Sequence, residues 1–94
     1  MTERGYTASR DQLLARLRRI EGQIRGIERM VQDDRYCIDV LTQIGAAQAA
    51  LDKVALGLLD DHAHHCVVGA RTAEERNVKT DEMMAAVGRL MRRG

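Results

Sequence analysis

Between positions 37 and 66 the apolar residues recur every three or four places, and no proline interrupts them. Cys37, Leu41, Ile44, Ala47, Leu51, Val54 and Leu58 fall on one helix face, and His62 and Cys66 continue it. The pattern predicts one helix from about Tyr36 to about Val67, with Asp34 as its N-cap and Gly69 as its stop. A helix of roughly 30 residues is roughly 45 Å long, longer than a domain of this size is wide. It must extend into a partner, so the expected state is an obligate oligomer, most simply a two-fold dimer with antiparallel long helices. Ala46, Ala47, Ala49 and Ala50 form a small-residue zone in the middle, where two backbones can approach.

The rest of the chain fits around that helix. Phe, Trp and Pro are absent, so the core must come from Leu, Ile, Val, Ala and Met, which argues against an all-β domain. Ser9 and Gln12 are placed as a capping box, followed by a heptad-like stripe of Leu13, Leu17, Ile20, Ile24, Ile27 and Val31. Residues 32–35 form a polar break and 69–79 read as a connection. Thr80 or Asp81 is then expected to cap a short third helix carrying Met83, Met84, Val87, Leu90 and Met91. The fold class expected is all-α: a single helical domain over residues 1–94 with three helices, residues 1–8 being a loose tail. No apolar run reaches the roughly 18 residues of a membrane span, and the N-terminus has no signal-peptide pattern. A cytoplasmic location is therefore expected, where two cysteines are thiols rather than a structural disulfide.

The formal net charge of +1 conceals an uneven distribution. Residues 1–30 carry seven arginines against four acids, whereas residues 31–70 carry two bases against six acids. A near-neutral total thus leaves room for a basic patch, although solvated helices are often patterned in this way too. On the first helix, Arg16 and Arg19 flank the apolar stripe, while Arg18, Arg25 and Arg29 lie on the outer face. No helix-turn-helix, zinc-finger spacing or RNA-binding aromatic motif is visible.

Three residues suggest metal chemistry. His62 and Cys66 stand four apart, a spacing that suits two ligands of one ion but, taken alone, more often marks two buried stripe residues that bind nothing. Cys37 lies at the far end of the same stripe, beyond the reach of the other two within one chain. In an antiparallel dimer crossing near Ala50 and Leu51, Cys37 of one protomer meets His62 and Cys66 of its partner, giving two equivalent shared sites. Two thiolates and one imidazole are a soft, low-coordinate set that favours Cu(I). Zinc prefers four ligands, and His65 or water would have to complete its shell. His64 points away from this face.

These residues resemble a known family, the copper-sensitive operon repressors, which also includes nickel/cobalt, formaldehyde and persulfide sensors. The likeness runs from Leu13 to Leu90. It is carried by the segment Arg18-Arg19-Ile20-Glu21-Gly22-Gln23-Ile24-Arg25-Gly26-Ile27, by Tyr36-Cys37-Ile38-Asp39-Val40-Leu41-Thr42-Gln43-Ile44, and by His62 through Cys66. The trio Cys37, His62 and Cys66 is similar to the copper branch. The resemblance implies an antiparallel four-helix-bundle dimer assembling into a tetramer, with operator double-stranded DNA bound by the metal-free form and released on Cu(I) binding. It implies that Tyr36 and Glu82 hydrogen-bond the ligating histidine, an interaction that would fix its tautomer and orientation. It also places Arg16 at a DNA-contact position. Lys53 stands where some relatives have arginine, which keeps the charge but not the bidentate geometry. The DNA-facing set expected is thus Arg16, Arg18, Arg19, Arg25 and Lys53.

Two rival functions remain at this level. One is a repressor that senses persulfide or oxidant through Cys37 and Cys66, for which His62 would be superfluous. The other is a copper buffer without a DNA role. An enzyme is the least expected, because the chain has no phosphate loop and no nucleophile–base pair.

Overall fold

The computed structural model describes Tyr6 and residues 9–92. Three α-helices follow one another, α1 (Arg10–Gln32), α2 (Cys37–His62) and α3 (Ala73–Met91), and a π turn (Ala63–Val67) extends the end of α2. The all-α expectation holds, and no strand occurs among the described residues. Apart from Tyr6, the tail expected over residues 1–8 lies outside the described residues from its start through Gly5 and again at Thr7 and Ala8. None of the described helices is long and apolar enough to cross a membrane.

The chain divides into two compact units. The first, Ser9–Leu56, pairs α1 with the greater part of α2. Its core is small: Leu13 and Ile20 of α1 pack with Val54 of α2, and Ala50 lies against them. Ala47 is buried as well. The stripe on α1 is therefore two seams. Leu13 and Ile20, seven apart, are buried, whereas Leu17, Ile24 and Val31 are exposed. Helix α2 divides likewise: Ala47 and Val54 are buried, and Leu41, Ile44, Leu51 and Leu58 are exposed.

The junction between α1 and α2 differs from the sequence expectation. Asp34 is not the N-cap of α2 but part of the stop of α1. The Arg35 N–H donates to the Met30 carbonyl at 3.0 Å and the Asp34 N–H to the Val31 carbonyl at 3.2 Å. Those two bonds form a Schellman motif, whose penultimate residue must take the left-handed conformation; Asp34 does so, with φ 55. Helix α2 instead starts beyond Tyr36, whose carbonyl accepts from the N–H groups of Asp39 and Val40. The Ser9 capping box also fails to form. Ser9 sits at the N-cap of α1 with ψ 9 and makes no side-chain cap bond. A capping side chain needs an extended backbone to aim its oxygen at the following N–H groups, and this backbone is not extended.

The second unit contains Gly57–Gly94 and carries the end of α2, the π turn and α3. The N-cap of α3 lies eight residues before the expected Thr80. Thr72 is its N-cap, accepting from the Glu75 N–H at 3.0 Å, while Glu75 accepts from the Arg71 N–H at 3.3 Å. This Thr-x-x-Glu pattern is a capping-box signature that the apolar periodicity alone overlooks. Thr80 lies inside α3, its hydroxyl donating to the Arg76 carbonyl at 2.7 Å. The α-helical course expected to Val67 ends at His62, and the N–H of Val68 then reaches back five residues to the Ala63 carbonyl at 2.9 Å. Gly69 follows this turn as expected, for a reason of space: a Cβ on it would run into the His65 carbonyl oxygen.

Candidate functional site

The three soft donors occupy the two ends of α2. Cys37 is its first residue, exposed, with a free thiol. His62 is its last residue and half-buried, and Cys66 follows in the π turn, half-buried and also a free thiol. Cys37 and His62 are thus separated by the whole of the 26-residue α2. Among the described residues no group of three His, Cys, Asp or Glu side chains within one chain could hold a metal ion. The π turn places Cys66 on a wider coil than the α-helix expected there. Such single turns interrupt α-helices rarely, and often at functional sites.

His62 is the best defined of the three. Its Nε2 lies 3.1 Å from the Lys79 main-chain carbonyl of α3, in a part-buried setting. A carbonyl oxygen only accepts, so Nε2 donates in this contact, and in the neutral ring the lone pair then lies on Nδ1. The same contact joins the end of α2 to α3. Glu82, one turn further along α3, places its Oε2 3.9 Å from the Lys79 Nζ, with both side chains substantially exposed. At that exposure the pair contributes little to stability. Tyr36 stands exposed immediately before α2. His64 faces away, its Nε2 3.3 Å from Asp60 at the surface, and His65 is exposed. The Lys79 carbonyl is a partner that sequence reasoning missed, because a main-chain acceptor leaves no trace in residue identity.

A second feature lies wholly within the first unit. Arg16 and Arg19 of α1 and Lys53 of α2 line one groove of about 490 Å³, together with Ile20, Gln23, Ala46, Ala49 and Ala50. Three of the five basic residues singled out from the sequence thus converge. Arg18 and Arg25 are exposed on α1 and do not line the groove. Gln23 was overlooked as a groove residue; its place one helical repeat after Arg16 was the available signal.

Comparison with known proteins bears on the fold and the family. The copper-sensing transcriptional repressor RicR of Mycobacterium tuberculosis is 52% identical over 90 residues, which cover 94% of each chain. The copper-sensing repressor CsoR of Geobacillus thermodenitrificans, crystallised with Cu(I), superposes with a TM-score of 0.85 at 41% identity, covering 98% of this chain and 95% of its own. The nickel-responsive transcriptional regulator InrS superposes with a TM-score of 0.73 at 42% identity, covering 84% of this chain and 89% of its own. Proteins named for different metals therefore share this fold at similar identity. The family described as metal-sensitive transcriptional repressors matches residues 9–89. With that match across nearly all of its described helices, the chain belongs to the metal-sensitive transcriptional repressor family.

Proposed function

We propose that this protein is a cytoplasmic Cu(I)-sensing repressor, which holds operator DNA when metal-free and releases it when Cu(I) binds. The observation that carries the reading is the uncovered seam of α2. Cys37 opens it, Leu41, Ile44, Leu51 and Leu58 are exposed along it, and His62 and Cys66 end it. Apolar surface of this extent favours a partner. A second copy laid antiparallel covers the seam and brings Cys37 of one protomer beside His62 and Cys66 of the other. The proposed assembly is a four-helix-bundle dimer, paired again into a tetramer, with the whole chain acting as one helical module.

The donors fit Cu(I). Both thiols are free, and the hydrogen bond of His62 Nε2 to Lys79 leaves Nδ1 available. Two thiolates and one imidazole suit a soft d¹⁰ ion of low coordination number. When bound, Cu(I) supplies a soft cross-link between protomers. The chain's own residues carry the message onward. His62 ties its end of α2 to α3, and Glu82 lies within reach of the same segment of α3. Tyr36 and Glu82 orient the ligating imidazole in this reading, the His62 Nε2–H passing from the Lys79 carbonyl to the Glu82 carboxylate as Glu82 leaves the Lys79 ammonium. Arg16, Arg18, Arg19, Arg25 and Lys53 supply the DNA-facing charge, multiplied by the oligomer. A sensor built on thiols alone would leave the tethering of His62 without a role.

The test is operator affinity, measured by fluorescence anisotropy on DNA from the gene's own upstream region, with and without Cu(I) and without oxygen. Coupling of about 1–3 kcal/mol, or roughly 5- to 150-fold weaker DNA binding, is expected, and linkage requires DNA to weaken Cu(I) binding equally. Equal affinities would end the proposal. His62→Ala should keep Cu(I) on two thiolates yet lose the coupling. X-ray absorption of the wild-type complex should show two sulfurs and one nitrogen.

A further inference from the structure

The groove of the first unit holds an arrangement that the proposed metal chemistry does not use. Arg16, Arg19 and Gln23 stand on successive turns of one face of α1, and Lys53 faces them from α2. Ala46, Ala49 and Ala50 keep the opposite wall low. No carboxylate lines the groove, and none of the four polar side chains has a hydrogen-bond or ion-pair partner among the described residues. Three cations held together without counter-charge form an anion site, and Gln23 is the only neutral donor in it.

The geometry points to one strand of a DNA backbone as the occupant. Seven residues of helix, from Arg16 to Gln23, span roughly 10 Å. A DNA strand presents one phosphate per about 3.4 Å of helix axis, so a row of donors this long matches consecutive phosphates better than a lone anion. The site is recessed. Base edges lie at the floor of the DNA grooves and must be reached by an element that protrudes, whereas phosphates project outward and can enter a concavity. We infer that Gln23 is a DNA-positioning residue: its amide N–H₂ donates to a backbone phosphate that Arg16, Arg19 and Lys53 hold in the groove, and it reads no base. This rests on the operator-binding reading and assigns a division of labour within it, with phosphate contacts in the groove and Arg18 and Arg25 outside it.

The experiment compares wild type, Gln23→Ala and Gln23→Glu by anisotropy on the upstream operator fragment and on an unrelated duplex of equal length, across a series of salt concentrations. Gln23 is exposed, so both variants should keep the wild-type circular dichroism and sedimentation coefficient. Gln23→Ala should weaken both duplexes about three- to tenfold with an unchanged salt slope, since a neutral donor releases no counterion. Gln23→Glu should weaken both by more than tenfold, leaving the ratio between them as in wild type. Lys53→Ala, as a charged reference, should make the salt slope shallower by about 0.9 per contact removed. Wild-type affinity in both Gln23 variants would overturn the inference. A loss confined to the operator would overturn it too, by making Gln23 a base reader. A wild-type protein that binds neither duplex would refute the repressor reading itself, and this inference with it.

Discussion

Replacing Leu51 with alanine probes the antiparallel pairing of α2 near its centre. Leu51 lies next to the midpoint of Cys37 and Cys66, so in a two-fold antiparallel pair the two copies of Leu51 approach the axis and each other. The side chain is 44% exposed in the single chain. Burying a whole leucine contributes about 1.5–3 kcal/mol. Covering the part left open therefore contributes about 0.7–1.3 kcal/mol per protomer, or about 1.3–2.6 kcal/mol per dimer. At 1.4 kcal/mol per decade, Leu51→Ala should raise the dimer dissociation constant about 10- to 70-fold. A cavity left at the axis would raise it further. Sedimentation velocity over a dilution series measures this directly. Leu56, 64% exposed but off the seam, is the control, and Leu56→Ala should leave the constant nearly unchanged. Equal effects from the two substitutions, or none from Leu51→Ala, would refute the pairing through this face.

Two further substitutions test local structure. Asp34→Gly removes a Cβ from a residue at φ 55 and leaves the two bonds of the Schellman stop intact; it should stabilise the protein by about 0.5–1 kcal/mol, seen as a rise of several degrees in Tm by calorimetry. A lower Tm would show that the carboxylate itself holds the turn. Gly69→Ala puts a methyl group against the His65 carbonyl, which belongs to the π turn and is backbone that yields only if the turn moves. Cu(I) retention against a strong chelator should fall in that variant relative to wild type, while undiminished retention would separate the π turn from the metal site.

The helices themselves were written locally. Alternating three- and four-residue spacings and the absence of proline are enough to specify α1 and α2, because helix hydrogen bonds join near neighbours and an apolar face needs only periodicity. The candidate donors were legible for the same reason, Cys37, His62 and Cys66 being marked by residue type on one stripe. The ends of elements were less so. Ser9 looked like a cap and makes no cap bond, Asp34 looked like a start and is part of a stop, and α3 begins at Ala73 because Thr72 and Glu75 cap it. At such positions a few competing hydrogen bonds differ by about 1 kcal/mol or less, and local pattern does not choose among them.

What the sequence by itself determined is which side chains share a helix face, and hence that the soft donors lie at opposite ends of one rod. Only the tertiary structure decided which half of each apolar stripe packs within the chain and which stays open: Leu13, Ile20, Ala47 and Val54 inside, Leu17, Ile24, Leu51 and Leu58 outside. It also decided that the His62 ring leans on the Lys79 carbonyl and that Gln23 joins Arg16, Arg19 and Lys53 in one groove. Periodicity encodes an angle around a single helix axis. Which neighbour fills that angle depends on contacts between residues far apart in the chain, and those exist only once the helices have packed.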